Sequence, residues 1–376
     1  VRALAEGTRL VSGEAALDLL DDRWDELLAL QAVPNPMLSA RWLRALAAWR
    51  TGTPLVAVAV QDGAYVAGGA FELQHRRRLA PQLARWLGPL EQVCSVDMIA
   101  APGRADAAWA LLELVFEVAD VVSVATPAGG VTATALAANA PWRSSSPFSE
   151  RGLLSWPAPR LDYARKRVAR DLRRARSRGA EVEVRVAAAP EEVEAALVRL
   201  FRVHRERWRD RDDVVARIAT SAAHRRWNRR AVGGLAAAGG VRIAEVLEDG
   251  RVVGSALGLL HGRGGFGHTS AVRPGGALVE PGHLAVLACM EALGEAGATI
   301  VDLGTNRAAN GPKTRLGAVN DPVVAILAAG SARRQHRFAT TYQAVDAFRR
   351  ARAAAAPASR PSHQSRPASP SVCSGS

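Results

Sequence analysis

The sequence predicts an α/β protein in which a mixed α+β sheet is built twice along the chain, and three observations predict it. The same order of patterns runs through both halves: a pair of amphipathic helices, a strand meander, one helix and a further strand. Each meander turns on a short Asp-Gly hairpin signal, Gln61-Asp62-Gly63-Ala64 in the first half and Glu248-Asp249-Gly250-Arg251 in the second. A dense basic run, Arg160 to Gly179, separates the halves. The expected division is a unit over 1–158, a second over 159–355 that opens with a basic linker helix at 160–179, and a tail over 356–376.

Taken in order, Ala16 to Gln31 reads as one helix with Leu17, Leu20, Trp24, Leu27 and Leu28 on its buried face, and Ser39 caps the next, beginning at Ala40. Strands are expected at Leu55–Val60, Tyr65–Leu73 and Val93–Ile99, then a helix at Ala105–Val118 and a strand at Val121–Ala125. In the second half a strand at Glu181–Val186 leads through Pro190 into a long helix ending near Trp208. A further helix covers about Ser221–Ala237. A hairpin follows at Val241–Leu247 and Val252–Leu260, then a strand at Gly265–Ser270, a helix at Pro281–Ala296 and a strand at Thr299–Leu303.

The 376 residues are 48% apolar with no collapse of composition before residue 355, so most of the chain has enough apolar surface to fold. The tail after it, rich in Pro and Ser and nearly without aliphatic side chains, is expected to be disordered. Cys94, Cys289 and Cys373 lie far apart and match no zinc spacing, which implies no metal site and a reducing compartment. The first residues lack a basic stretch followed by an apolar core, and no apolar run approaches the ~20 residues that span a bilayer. A cytoplasmic protein without a transmembrane segment is the expectation.

The net charge of +13 suits phosphate-bearing partners without choosing among them. Nearly all the cations are arginine: of 49 basic residues only Lys166 and Lys313 are lysine. Arginine count therefore reflects composition more than function, whereas a retained lysine marks a place that arginine does not fill. The run 160–179 carries eight arginines and Lys166 against Asp162 and Asp171. It reads as an exposed helix that is either a solvated linker or a cationic wall for an anionic substrate or coenzyme. Nucleic acid is not the expected partner, because aromatic residues for base stacking are lacking.

At Glu280-Pro281-Gly282-His283-Leu284 the chain can begin a helix with Pro where an N–H is dispensable and Gly where backbone must approach closely. Backbone N–H groups of Gly282, His283 and Leu284 at such a helix start suit a pyrophosphate, although an ordinary turn has the same spelling.

The succession LFRVHRERWRDR, HRRWNRRAV, GGVRIAEVLEDGRVVGSALGLL, VEPGHLAVLACMEALGEAG and IVDLGTNRAANGPKTRLGA resembles the GNAT N-acetyltransferase superfamily. It is most similar to the CelD-like group, which is related to Fem-type aminoacyl transferases and associated with exopolysaccharide synthesis. The likeness covers about Tyr163 to Ala318, and the N-terminal WDELLAL and NPMLSARWLRALAAW resemble the same group's degenerate first domain. The resemblance implies two tandem GNAT-like domains and a sheet splayed between two central strands. It further implies an acyl-CoA thioester, acetyl-CoA in the usual case, lying in that gap and an acceptor amine attacking it directly.

On this mapping Thr269, Ser270, Ala271 and Val272 end the strand whose N–H groups hold the thioester carbonyl. Pro281, Gly282, His283 and Leu284 take the pyrophosphate, and Asp302, Leu303 and Gly304 end the neighbouring strand. The family's aromatic-Lys pair is here Pro312-Lys313, which keeps the cation and loses the ring. Tyrosine often returns the proton to the leaving thiolate in this family, but Tyr65, Tyr163 and Tyr342 all lie outside the mapped site. His268 and His283 are then the candidate acid–base groups, beside Lys313, with Asp302 orienting a base or closing a strand end. Glu280 relays a proton or only balances the helix dipole. His204, Arg207 and Trp208, sharing one helix face, with Lys313 and Arg315, are the candidates for the acceptor side, a small amine or amino sugar. Arg273 and Arg315 flank the cofactor site as candidate phosphate partners. Two other readings stay open: an aminoacyl transferase using charged tRNA, and a scaffold that kept the fold and lost the chemistry.

Overall fold

The computed structural model describes residues 6–48, 52–74, 82–87, 96–158, 160–209, 221–273, 275–305, 312–331, 334 and 336. The tail from 356, expected to be disordered, lies outside the described residues, as do Cys94 and Cys373. The first half opens with β1 (Gly7–Ser12) and a 3-10 turn at Glu14–Leu19. The single helix expected over 16–31 is divided because the Asp21 carboxylate accepts the Arg23 N–H at 3.1 Å and starts a new helix, α1 (Asp22–Ala29). Ser39 caps α2 (Ala40–Ala47), as its position predicts.

Next come β2 (Thr53–Gln61), β3 (Ala64–Gln74), β4 (Leu83–Trp86), β5 (Ile99–Ala100), α3 (Ala105–Val118), β6 (Val121–Pro127), α4 (Val131–Asn139) and β7 (Trp142–Ser155). The second half has α5 (Leu161–Ser177), β8 (Val182–Ala187), α6 (Pro190–Trp208), α7 (Ala222–Ala236), β9 (Val241–Glu248), β10 (Arg251–His261) and β11 (Gly264–Val272). It closes with α8 (Pro281–Glu295), β12 (Ile300–Thr305), the one-turn α9 (Pro312–Arg315) and β13 (Val319–Ala329). Both Asp-Gly turns adopt positive φ at their two central residues, Asp62 (50°) with Gly63 (76°) and Asp249 (50°) with Gly250 (75°), the geometry that matches strand twist in a two-residue hairpin. Of the strand expected at Val93–Ile99, the described part contributes only β5. Pattern reading also misses β1, β4, α4, β7 and β13.

All the strands among the described residues join in one thirteen-stranded sheet of order β1-β2-β3-β4-β6-β13-β7-β12-β11-β10-β9-β8, with β5 added beside β3. The order near its middle is not the chain order. β13, the last strand, pairs antiparallel with β6 of the first half, and β7, the last strand before α5, pairs antiparallel with β12 of the second. The two exchanged strands then pair with each other along their length, from Val319↔Leu153 to Ala329↔Trp142. Each half's sheet is completed by a strand from the other.

One ionic group sits where β7, β12 and β13 meet. Arg151 of β7, only 7% exposed, donates from Nη1 to Asp302 of β12 at 3.3 Å and from Nε to Asp321 of β13 at 2.6 Å. The second oxygen of Asp302, a fully buried residue, accepts the Gly304 N–H at 2.7 Å. A charged group this deep is tolerated only with its partners in place. The halves also meet edge to face through Trp42 of α2 and Trp227 of α7, 5.3 Å between ring centroids, inside a core that runs across both. A second core lies on the opposite face of the sheet, beneath α5 and α8.

Arg151→Met should destabilise the protein by about 3 kcal/mol or more, since it strands the Asp302 charge. Asp302→Asn in that background should recover part of the loss. Urea denaturation of the three proteins checks this, and equal stability of Arg151→Met and wild type would show that the group contributes nothing.

Candidate functional site

β11 and β12 are parallel neighbours, paired from Gly264↔Ile300 to Phe266↔Asp302 and no further. Beyond that point β11 continues to Val272 and β12 to Thr305 without pairing to each other, so the sheet opens between them. His268 is the extra residue of a bulge: Leu257 of β10 pairs Thr269, while Gly258 pairs Gly267. Bulges bend a strand and redirect a side chain. Thr269–Val272 stay paired to β10 on one edge, with the opening on the other. Gly267 and Gly304 border the opening, Gly304 at φ +68°, and a side chain at Gly267 would touch Leu303, 3.5 Å from its Cδ2. The Lys313 ammonium donates a short hydrogen bond to the Leu303 carbonyl and lies within contact range of Gly304.

The first half has the same parallel pair, β4 with β6 from Leu83↔Val121 to Arg85↔Ser123. There the space is taken. Trp86, fully enclosed, stacks on Phe71 at 4.8 Å and donates its indole N–H to the Ala125 carbonyl at 3.0 Å.

The start of α8 borders the second-half opening and is rigidly placed. Glu248 accepts from Ala277 and Leu278 N–H at 2.7 and 2.9 Å, and Asp171 of α5 accepts from Val279 and Glu280 N–H at 3.1 and 2.9 Å. Gly282 is needed for packing: a Cβ there would lie 2.3 Å from Cγ2 of Val272, so helix and strand end touch at this residue. His283 and Leu284 N–H both donate to the Glu280 carbonyl, at 3.0 and 3.2 Å, whereas the Gly282 N–H is not part of that pair. The Glu280 carboxylate is gripped by Arg167 through two hydrogen bonds, with Arg315 at 3.9 Å, and the hydrogen bonds from Arg167 hold it below the ordinary glutamate range. Burial lowers the His283 pKa, and its Nε2 is a buried atom without a hydrogen-bond partner among the described residues. Alongside, a cavity of about 420 Å³ is lined by Tyr163, Lys166, Arg167, Arg170, Asp171 and Arg174 of α5 with Val279 and Glu280, so Tyr163, expected from the sequence to lie outside the site, borders it. The basic helix thus lies against the start of α8.

On the other face of the sheet His268 is enclosed. Its Nε2 donates to Asn228 Oδ1 at 2.9 Å, and Asn228 Nδ2 in turn donates to His224 Nε2 at 3.0 Å, so the amide fixes which ring nitrogens carry protons. Trp42 meets His268 edge-on at 5.3 Å and Trp227 meets His224 at 5.6 Å. Burial, reinforced by the neighbouring histidines, pushes His268 down to about 3, and burial pushes His224 and His204 down to about 4. All three are neutral at pH 7.

These positions sort the sequence candidates into two groups. Thr269–Val272, Pro281–Leu284, Lys313 and Arg315 come together around the opening. His204, with Trp208 6.1 Å from it and Arg207 above the Trp208 ring, belongs to the α6–α7 side with His268. Asp302 is occupied by Arg151, and Arg273 is committed to Glu206 by hydrogen bonds of 2.9 Å and shorter. Sequence reasoning missed Arg151, Asp321, His224 and Asn228. For the last two a signal existed: His224 and Asn228 are four apart, hence on one face of a helix.

Comparison with known proteins agrees with this geometry. Residues 163–311 match the family model of an acetyltransferase (GNAT) domain. Solved structures similar to the whole chain include FemX, at 12% identity and TM-score 0.56, covering 81% of this chain and 95% of that one. A conserved protein of unknown function from Bacteroides thetaiotaomicron is similar at 11% identity and TM-score 0.55, over 82% and 97% of the two chains. So is the C-terminal domain of a protein from Agrobacterium fabrum named as a lysylphosphatidylglycerol synthetase, at 11% and 0.50, over 88% and 96%. At such identities the likeness is one of fold. No curated protein matches the chain. No helix among the described residues is long and apolar enough to cross a membrane.

His204, His224 and His268 link stability to acid. Their pKa values lie below the ~6.5 of an unfolded histidine, so the unfolded chain binds protons that the folded one refuses. Their contribution is intact above pH 6.5 and is lost as pH falls from there toward 4, with a limiting slope of about 1.4 kcal/mol per pH unit for His268. His268→Gln should show a shallower loss than wild type between pH 7 and 5 in urea denaturation, and parallel curves would refute the linkage.

Proposed function

We propose that this acyltransferase, whose residues 163–311 carry the GNAT acetyltransferase domain, takes an acyl group from acyl-coenzyme A, acetyl in the first instance, and transfers it to an amine of a small molecule or amino sugar, as in exopolysaccharide or cell-envelope metabolism. The observation that carries the reading is the divergence of β11 and β12 beyond Phe266↔Asp302, bordered by Gly267 and Gly304, with a cation at its end. The filled counterpart at Trp86 supports a non-catalytic first unit over 1–158 and a catalytic one over 159–355.

The residues at the gap fit such a donor. Lys166, Arg170 and Arg174 line one side of the cavity at the start of α8, where the Gly282 N–H and the helix dipole also favour phosphate. The unpartnered Nε2 of His283 is placed to meet a polar ligand group. Pro281 and Leu284 shape that turn. The bound donor supplies a thioester carbonyl; N–H groups in Thr269–Val272, on the edge of β11 facing the gap, would polarise it. Lys313, fixed on the Leu303 carbonyl, orients the reacting groups and opposes charge on the departing thiolate. His283, neutral at pH 7, is the group suited to take the amine proton through water. His268 serves by holding the bulge of β11 in place, and Asp302 by anchoring β12 to Arg151. His204, Arg207 and Trp208 border the acceptor side, and Arg315 steadies Glu280.

A second reading, transfer of an aminoacyl group from tRNA, is favoured by one observation, the seven-cation helix α5 lying along the donor cavity. Ribonuclease sensitivity of the activity would decide for it.

Isothermal titration with acetyl-CoA should give saturable binding, weakened by Lys166→Gln/Arg170→Gln; no heat at millimolar ligand would sink the coenzyme reading. In steady-state assays against an amine panel, Lys313→Ala should lower kcat about a hundredfold. Arg315→Ala should instead raise KM a few-fold. Equal effects from the two would show that the retained lysine has no special role.

A further inference from the structure

α6 and α7 lie side by side on the surface and enclose a groove of about 390 Å³, away from the opening between β11 and β12. Five arginines line it: Arg202 and Arg205 from α6, and Arg225, Arg226 and Arg229 from α7. Val198, Phe201 and Ala222 make up the rest of the lining, and no carboxylate takes part among the described residues. Both helices present this face with the same spacing, i, i+3, i+4 and i+7, counted from Val198 in one and from Ala222 in the other. α7 holds no acidic residue at all, and it turns His224, Trp227 and Ala231 inward on its opposite side.

Several arginines elsewhere in the second half are paired with carboxylates. Arg165 pairs with Glu291, Arg185 with Glu183, and Arg199, also on α6, with Glu245. In the groove Arg202, Arg205, Arg226 and Arg229 have no carboxylate partner among the described residues. Cations three and four apart on a helix repel each other, and a second helix carrying the same pattern adds to that repulsion. The guanidiniums of Arg202, Arg205, Arg226 and Arg229 over a partly apolar floor form a fork-shaped donor set suited to adjacent phosphates, which they can bind bidentately. The floor offers no free aromatic face for stacking bases, since Phe201 is buried against His224 at 6.4 Å.

We infer that the α6–α7 groove is a binding site for a ligand bearing two adjacent phosphates, separate from the acyl-donor site and independent of the acyl-transfer reading. The same chemistry is presented by a soluble diphosphate, such as a nucleoside diphosphate, and by the clustered head groups of an anionic lipid surface.

The test uses the full chain carrying Lys166→Gln/Arg170→Gln, which removes cations from the donor cavity. Inorganic pyrophosphate is titrated calorimetrically, and sedimentation with phosphatidylglycerol vesicles is measured against phosphatidylcholine, both at about 150 mM salt to screen loose surface attraction. Adding Arg202→Gln/Arg229→Gln should weaken pyrophosphate binding about tenfold or more. Adding Arg176→Gln/Arg178→Gln, an equal loss of charge on the exposed end of α5, should not. Vesicle retention that depends on the groove arginines, without pyrophosphate binding, assigns the phosphates to lipid. The groove variant should melt no lower than its parent, because repulsion has been removed, so lost binding is not lost folding. Equal behaviour of the groove and α5 variants with both probes, or no binding of either probe by the parent, overturns the inference.

Discussion

The exchange of β7 and β13 rests on Arg151. Its guanidinium faces the carboxylates of Asp302 and Asp321, on the two strands that flank β7. A buried ion group contributes little net stability compared with apolar packing, yet leaving any member unpaired is costly, so such a group selects one arrangement and penalises others. What it selects here is the register of the middle of the sheet. The Asp302 carboxylate also fixes Gly304 through its N–H, and Gly304 lies beside the Lys313 ammonium. Register at the centre and geometry at the opening are therefore settled by the same charges.

The opening itself is an absence of pairing that neighbouring groups hold in place. β12 is held by Arg151 on one side, and β11 is held by the bulge at His268 with its Asn228 and His224 partners on the other. The start of α8 is tied down by Asp171 and Glu248 and by the contact of Gly282 with Val272. Preorganised groups at a reacting centre work because they need no rearrangement when charge develops. At the corresponding strand pair of the first half, Trp86 fills the space with an indole whose N–H satisfies the Ala125 carbonyl.

Much of the fold was legible in the chain. Both Asp-Gly hairpins, the helices at α3 and α5 to α8, and strands β9 to β12 follow from turn chemistry and periodicity, because each buries its apolar face against near neighbours. β7 was not, since WRSSSPFSERGLLS has no apolar alternation over its exposed half, and β13 carries Pro322 where a strand interior is expected. Pro322 is tolerated because pairing with β6 begins only at Val323. The site divided in the same way. The start of α8 was readable from local order, and Gly282 was singled out, although what approaches it closely is Val272; the opening was expected only from the family resemblance. Arg151 was not readable: in a chain this rich in arginine, nothing local separates one that is buried between two aspartates from those in water.

The exchange also bears on how the chain acquires its structure during synthesis. β6 waits for its neighbour until residues 319–329 have left the ribosome, and β7 waits for β12, so the first unit spends most of translation with open strand edges. Such edges are templates for pairing with other chains, and closing them requires contacts between segments far apart in the chain, such as Ala329 with Val121 and Ile300 with Ser155, which form slowly. The largely polar, serine-rich outer stretch of β7 suits a strand that must remain soluble while it waits. With β7 and β13 exchanged between them, the two halves of the sheet are not separable modules.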